Sequence, residues 1–148
     1  MFFGSYEHSL DEKGRLLIPR KIKEGLKGFS NLYVMQGFEG CLAIYTEEEF
    51  KRLTEECNKL SFYKKNSRDY LRLMLASVYE LSVDKVGRVQ LPSQILEKYE
   101  ISREVLIIGV NDHFEIWDRN KYLKYEKEAN DRFEEIAESL VKENEWAS

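Results

Sequence analysis

A nine-residue motif occurs twice in this chain, and this repeat constrains the fold more than any other feature of the sequence. Residues 11–19 are Asp-Glu-Lys-Gly-Arg-Leu-Leu-Ile-Pro, and residues 84–92 are Asp-Lys-Val-Gly-Arg-Val-Gln-Leu-Pro. Asp, Gly, Arg and Pro occupy the same four positions in both copies, which begin 73 residues apart. Flanking residues such as Ser9 and Ser82 also match, so duplication explains the repeat better than chance recurrence of a turn. An internal repeat indicates a fold built from two similar halves.

Each half predicts the same order of elements: two short strands around a turn, a short helix, a β-hairpin and a longer helix. In the first half, alternating apolar residues predict a strand before Asp11, and Gly14 permits a hairpin turn that returns the next strand against the first. Pro19 closes the return strand and can open a short helix, predicted over Arg20 to Leu26. The predicted organisation is a first repeat over residues 1–60, a linking helix over residues 61–77, and a second repeat with a C-terminal helix over residues 78–148.

Two helices have capping residues at their predicted starts. Thr46 followed by Glu49 matches a capping box, and Asp118 can cap the last helix. Apolar residues at alternating spacings of four and three predict one C-terminal helix with a heptad-like seam, which could pack on its own domain or against another subunit. The seam consists of Ala129, Phe133, Ile136 and Leu140.

The composition is that of a globular protein, because 43% of the 148 residues are hydrophobic and 34% are charged. No stretch approaches the roughly 18 apolar residues of a membrane-spanning helix, and the N-terminus lacks the features of an export signal. Cys41 and Cys57 are isolated in the sequence, which favours two free thiols over a structural disulfide. We therefore expect a cytoplasmic protein that does not bind a membrane.

Candidate catalytic residues are scarce. The two histidines, His8 and His113, fall in predicted strand or turn positions, and neither lies beside a plausible nucleophile. The sequence contains none of the common nucleotide-binding, serine-hydrolase or zinc-protease motifs. A metal site would need more His and Cys at suitable spacing. The sequence therefore predicts a protein that is not an enzyme and uses neither a metal nor another cofactor.

The net charge of −4 disfavours nucleic-acid binding only while the chain is treated as a whole. Residues 1–30 contain six Lys and Arg against four acidic residues, whereas residues 104–148 contain six against twelve. Local charge decides whether one face of a protein attracts nucleic acid. The distribution is compatible with a basic face that carries the motif and an acidic face elsewhere.

The arginine of each motif copy is the candidate functional residue. In a purely structural interpretation, Asp11 and Arg15 bond across their own turn, as do Asp84 and Arg88. We favour that interpretation for the Asp and Gly residues, whose chemistry suits turns. The guanidinium, however, has five donors in a flat fork that suits phosphate oxygens or the O6 and N7 atoms of guanine. The Asp can therefore orient an Arg that binds nucleic acid.

Other cations distinguish the two copies. Lys13 lies within the first turn, and Lys85 lies one position earlier in the second. Arg20 and Lys21 follow the first copy, whereas Ser and Gln follow the second. Neutralisation of phosphates dominates affinity for nucleic acid, so the first copy is expected to contribute more of that affinity than the second.

The doubled motif resembles the MraZ family of bacterial transcriptional regulators, whereas a single copy is typical of the wider SpoVT/AbrB-like superfamily. The N-terminal sequence Met-Phe-Phe-Gly-Ser-Tyr-Glu-His and the central sequence Leu-Met-Leu-Ala-Ser-Val-Tyr-Glu-Leu-Ser-Val-Asp fit the family as well. The resemblance covers nearly the full length. It implies an α+β fold, namely a duplicated swapped-hairpin (SpoVT/AbrB-like) β-barrel with peripheral helices.

The resemblance also implies a function. A member of this family is expected to assemble into a homo-oligomeric ring and to bind double-stranded DNA at direct repeats in the promoter of its own operon, in the division and cell-wall gene cluster. Such a protein would be nucleoid-associated. The alternative is a structural or protein-interaction module that oligomerises without binding DNA.

Carried over to this sequence, the resemblance implies that Arg15 and Arg88 face DNA and are held by Asp11 and Asp84. The cations beside the two motif copies, described above, complete the set of expected site residues. Val86 stands in the second copy where Lys13 stands in the first, so the two copies are not expected to act equally. The expected DNA-binding residues are Arg15, Arg88, Lys13, Lys85, Arg20 and Lys21. The expected structural residues of the motif are Asp11, Gly14, Pro19, Asp84, Gly87 and Pro92.

Overall fold

The computed structural model describes residues 1–143, which form an α+β fold with two antiparallel sheets. No helix in this range is long and apolar enough to span a membrane. The strands are β1 (Ser5–Ser9), β2 (Arg15–Leu17), β3 (Asn31–Gln36), β4 (Leu42–Thr46), β5 (Tyr79–Ser82), β6 (Arg88–Gln90), β7 (Glu104–Gly109) and β8 (Phe114–Asp118). The helices are α1 (Arg20–Gly25), α2 (Glu47–Cys57), α3 (Lys65–Ala76), α4 (Ser93–Lys98), α5 (Arg119–Asn130) and α6 (Phe133–Lys142).

The strands of the two halves pair with each other. The larger sheet has the order β1-β7-β8-β4-β3-β5, and the smaller sheet is a ribbon of β2 and β6. The predicted hairpin between β1 and β2 is therefore wrong. All five residues of β1 pair with β7, from Ser5 opposite Ile108 to Ser9 opposite Glu104, whereas the three-residue β2 pairs with its counterpart in the other repeat. A longer apolar partner strand offers β1 more ladder bonds and more burial than β2 could.

One face of the larger sheet packs against the ribbon. Val34, Ile107 and Ile116 are completely buried on this face. Leu16 of β2 and Val89 of β6 lie directly opposite each other and are buried in the same cluster. Since successive side chains of a strand point to opposite faces, the ribbon is fixed to the sheet by its inner face alone.

The other face of the larger sheet is covered by the longer helices. Met35 and Ala43 are buried there under α2 and α3, and the ring of Tyr33 stacks on that of Phe50 at 4.4 Å between centroids. At the β8 side, the ring of Trp117 stacks in the same way on α5. Since the ribbon packs on the first face, α2, α3 and α5 lie on the side of the sheet away from it.

The predicted starts of α2 and α5 are confirmed. The Thr46 hydroxyl accepts a hydrogen bond from the Glu49 N–H at 3.3 Å, and the Asp118 carboxylate accepts one from the Lys121 N–H at 3.3 Å. Only half of the capping box forms, because the Glu49 carboxylate instead accepts a bond from Arg52 at 2.6 Å. Both helix starts therefore have a side-chain acceptor for an otherwise unpaired N–H.

Two other predicted details differ from the structure. The C-terminal seam lies on two helices, α5 and α6, which are separated at Asp131 and Arg132. The interruption falls beside Asn130, and Asn and Asp are poor helix formers. Helix α1 begins at Arg20 as predicted, after Pro19 with its extended ψ of 146°, but it ends at Gly25, one residue before the predicted end. Residues 144–148, the end of the predicted second repeat, lie outside the described residues.

The two cysteines are both free, as predicted, and both are buried. Burial raises the pKa of Cys41 and, with less effect, that of Cys57. Thiols that remain protonated are poor nucleophiles, so both side chains behave as small apolar residues of the interior.

Candidate nucleic-acid interface

The ribbon brings the two motif copies together on one surface. Leu16 lies opposite Val89 at its centre, and both side chains point into the core. Arg15 and Arg88 are the neighbours of these residues along β2 and β6, so alternation places both arginines on the outer face. They are diagonal neighbours across the ribbon, which corresponds to a separation of about 7–8 Å between backbone positions.

The first turn, loop 1 (residues 11–14), is built around the Asp11 carboxylate. One carboxylate oxygen accepts hydrogen bonds from the N–H groups of Lys13 and Arg15 at 2.9 and 2.8 Å. The other accepts a bond from the Nε of Arg15 at 2.6 Å. Gly14 has a φ of 76°, and a Cβ at this position would lie 3.1 Å from the Leu91 carbonyl oxygen. Glycine meets both requirements of this loop, the positive φ and the close approach.

The second turn, loop 2 (residues 84–87), repeats this geometry. The Asp84 carboxylate accepts bonds from the N–H groups of Val86 and Arg88 and from the Nε of Arg88, each at 2.9 Å. Gly87 has a φ of 91°. In both loops the carboxylate engages only the Nε of the arginine's guanidinium. Within residues 1–143 the terminal guanidinium nitrogens of Arg15 and Arg88 have no hydrogen-bond partner, so they can donate to a ligand.

The same contacts keep both carboxylates ionised. The N–H of Arg15, followed by its side chain and the N–H of Lys13, lowers the pKa of Asp11 from 3.8 to about 2. The N–H of Arg88 is the largest cause of the lowered pKa of Asp84. Each arginine is therefore held by a negative group at neutral pH, which fixes its orientation before any ligand binds.

We expect the stability of the protein to depend on Asp11 in acid. Its folded-state pKa is lowered, so its contribution is complete above the unfolded-state value of 3.8 and is lost as the pH falls toward about 2. The urea midpoint should consequently fall less for Asp11→Asn than for the wild type between about pH 4 and pH 2. Tryptophan fluorescence during urea denaturation at a series of pH values measures this difference.

Glu12→Gln is the matched control, because it removes the adjacent carboxylate, which accepts no hydrogen bond within the described residues. Its pH dependence should follow that of the wild type. Identical pH dependence for Asp11→Asn and the wild type would contradict the assignment of Asp11 as the ionised anchor of the loop.

The other predicted DNA-binding residues surround the ribbon. Lys13, Lys85, Arg20 and Lys21 are all exposed, and the Arg20 side chain is 93% accessible. Pro19 and Pro92, which were predicted to be structural, each directly precede a short helix.

The short helices lie beside the loops of the opposite repeat, which the sequence did not reveal. At the end of β2 the Ile18 N–H bonds to the Gly87 carbonyl of loop 2 at 3.0 Å, and α1 starts two residues later. At the end of β6 the Leu91 N–H bonds to the Gly14 carbonyl of loop 1 at 2.9 Å, and α4 follows. Arg20 therefore lies at the loop 2 end of the ribbon, although in sequence it follows the first motif copy.

Comparison with known proteins identifies the family. A family model described as "MraZ protein, putative antitoxin-like" matches residues 1–73 and again residues 74–144. The chain belongs to the MraZ family. It is 41% identical to the "Transcriptional regulator MraZ" of Mesoplasma florum over 140 residues, which cover 95% of each chain. The protein of the same name from Heliobacterium modesticaldum is 37% identical over 95% of this chain and 97% of its own.

The two matches to the MraZ model agree with the duplication visible in the structure. Each match contains one motif loop, one short helix and one β-hairpin, and the boundary between the matches falls within α3. Both relatives carry the name of a transcriptional regulator. Membership of the MraZ family thus rests on both repeats.

Proposed function

We propose that the protein is a sequence-specific DNA-binding transcriptional regulator that presents the outer face of the β2–β6 ribbon to DNA. The observation that carries this proposal is the pair of arginines on that face, each held at Nε by an aspartate and open at its terminal nitrogens. The major groove is about 12 Å wide and admits a two-stranded ribbon. A separation of about 7–8 Å is roughly two base-pair steps of 3.4 Å, so Arg15 and Arg88 can contact different base pairs.

The distribution of charge supports this orientation. The first turn of α2 contains Glu47, Glu48 and Glu49, and α2 lies on the side of the sheet away from the ribbon. The loops carry exposed cations at Lys13 and Lys85. An acidic protein can bind DNA when its acidic groups lie away from the phosphates, because attraction and repulsion are screened within about 10 Å at 0.1 M salt.

The fold around this surface is, we infer, a duplicated swapped-hairpin barrel of the SpoVT/AbrB-like type. Four pairings support this inference, because β1 with β7, β2 with β6, β3 with β5, and β4 with β8 each join the two repeats. Two equivalent halves that exchange strands would place their Arg-bearing loops at equivalent positions around one pseudo-twofold axis. Such a barrel explains why neither motif copy forms a surface on its own.

Assembly would supply the affinity that one ribbon lacks. We infer that the protein forms a homo-oligomeric ring and binds direct repeats in the promoter of its own operon, within the division and cell-wall gene cluster. Several ribbons at fixed spacing engage several repeats at once, and linked sites of this kind gain about 10²- to 10⁴-fold in avidity. Association with the nucleoid follows from DNA binding.

A mobility-shift experiment with the promoter fragment of the protein's own operon tests the proposal. We expect the fragment to be retained at low salt, with affinity that falls steeply as salt rises, because counterions are released from the phosphates. A fragment of equal length with its repeats scrambled is the control and should bind more weakly. Equal retention of both fragments would remove the claim of sequence specificity.

An interaction module that oligomerises without DNA is the second candidate. The observation that favours it is an apolar groove of about 460 Å³ between α5 and α6, where Phe133 is 59% exposed. An oligomer detected by light scattering of the protein alone, together with no retention of the promoter fragment at low salt, would support this candidate and reject the first.

A further inference from the structure

Helix α1 belongs to the first repeat but lies beside loop 2 of the second, and it brings a cation to that loop. On the α1 side, the Nζ of Lys23 lies 3.2 Å from the position that a Cβ on residue 87 would occupy. Lys23 is exposed and forms no ion pair with any residue in the range 1–143. Its amino group therefore covers loop 2, next to Arg88, although in sequence it follows the first motif copy.

The loop 1 side has a different cation. The Leu10 N–H bonds to the Arg103 carbonyl at 2.7 Å, and the Arg103 Nε donates to the Leu10 carbonyl at 3.3 Å. Leu10 directly precedes Asp11, so these two bonds attach Arg103 to the base of loop 1. Its terminal guanidinium nitrogens have no partner within the described part of the chain. As in Arg15, the Nε donates to a protein oxygen, and the terminal guanidinium nitrogens can donate to a ligand.

A cleft of about 520 Å³ joins Arg103 to loop 1. Lys13 and Ser93 line it with Arg103, so it offers an ammonium, a hydroxyl and a guanidinium from both repeats. These are the side chains that contact DNA phosphates most often. Two carboxylates also line the cleft, and Asp11 is already compensated by Arg15, whereas Glu12 opposes an anion.

Lys23 and Arg103 do not occupy corresponding positions in the two repeats. The repeat offset of 73 residues pairs Lys23 with Leu96 and pairs Arg103 with Ser30. The backbone at these positions is nevertheless equivalent, since the Val83 N–H bonds to the Ser30 carbonyl at 2.8 Å as Leu10 does to Arg103. Each loop thus receives one cation from the opposite repeat, at different positions of the same scaffold.

We propose that Lys23 and Arg103 are further DNA-phosphate-binding residues, and that each acts with the loop of the other repeat. Lys23 acts with Arg88 at loop 2, and Arg103 acts with Arg15 at loop 1. This inference rests on the proposed function and extends it. It replaces the expectation of a stronger first motif copy with two composite surfaces that each contain residues of both repeats.

Single substitutions give the first test, with the promoter fragment as the probe. Lys23→Ala and Arg103→Ala should each lower affinity by roughly five- to tenfold at 0.1 M salt and reduce the slope of log K against log salt by about 0.9. Lys51→Ala and Arg68→Ala are the matched controls, because they make the same changes on α2 and α3, away from the ribbon. Full affinity in both Lys23→Ala and Arg103→Ala would overturn the inference.

Double substitutions test whether each cation acts with the loop of the opposite repeat. The effect of Lys23→Ala should disappear in an Arg88→Ala background, where loop 2 has already lost its DNA contact, and should persist in Arg15→Ala. The effect of Arg103→Ala should disappear with Arg15→Ala and persist with Arg88→Ala. The opposite pattern, in which each cation couples to the motif nearest in sequence, would overturn the inference.

The same series separates this inference from the proposed function. If the wild type does not retain the promoter fragment, the proposed function fails and this inference fails with it. If Arg15→Ala and Arg88→Ala lose affinity while Lys23→Ala and Arg103→Ala bind like their controls, the proposed function stands and only this inference fails. Circular dichroism at the assay temperature verifies that each variant is folded.

Discussion

Arg15→Ala is expected to weaken binding of the promoter fragment by roughly 5- to 150-fold, since a good guanidinium–base contact contributes about 1–3 kcal/mol. Arg15 lies on the outer face of the ribbon, and Asp11 fixes its Nε at 2.6 Å while the terminal nitrogens remain open. Removing it eliminates a contact whose orientation the protein maintains before DNA binds. Fluorescence anisotropy with a labelled promoter fragment measures the loss.

Arg15→Lys is the control that separates charge from geometry. Lysine keeps the positive charge and lacks the flat fork, so it should retain most of the salt dependence and lose discrimination between the promoter and its scrambled copy. Wild-type affinity and specificity in Arg15→Ala would show that the outer face of the ribbon is not the DNA-binding surface. Because Asp11 loses a partner in the variant, its fold must be verified by circular dichroism.

The parts of this site that depend on local chemistry could be predicted from the sequence. Gly14 and Gly87 adopt positive φ in the two turns, and the aspartates accept hydrogen bonds from the residues that immediately follow. The caps at Thr46 and Asp118 are equally local. All of these features require only residues within four positions of each other, so a single stretch of sequence contains the necessary information.

Strand pairing could not be predicted in the same way. The alternation in β1 fits any apolar partner, and the bonds between Asp11 and Arg15 close loop 1 whether β2 pairs with β1 or with β6. The predicted hairpin was the shortest-range solution, but the longer ladder with β7 buries more of the strand. Without this pairing, the positions of Lys23 and Arg103 beside the opposite loops could not be inferred.

The C-terminal seam shows a second limit. Its apolar spacing continues across the end of α5 and the start of α6, so periodicity gives no sign of the interruption at Asp131. A signal was present in the adjacent Asn130 and Asp131, which together disfavour a helix interior. Periodicity identified the apolar face correctly, whereas propensity would have located the break.

Leu16→Ala is expected to lower the free energy of unfolding by about 2–5 kcal/mol, the range for truncating a buried leucine. Leu16 is completely buried at the centre of the ribbon, where it lies opposite Val89. Its packing joins the ribbon to the larger sheet, and a typical domain has only about 5–15 kcal/mol of net stability. Urea denaturation followed by circular dichroism measures the change in midpoint and slope.

Leu17→Ala makes the same truncation one residue later on the outer face, where the side chain is 47% exposed. Surface substitutions usually change stability by no more than about 0.5 kcal/mol, so this variant should unfold nearly like the wild type. Equal destabilisation by the two truncations would mean that the inner and outer faces are not distinguished as described. The direction in which Arg15 and Arg88 point depends on that distinction, so this pair of variants tests the DNA-binding surface without DNA.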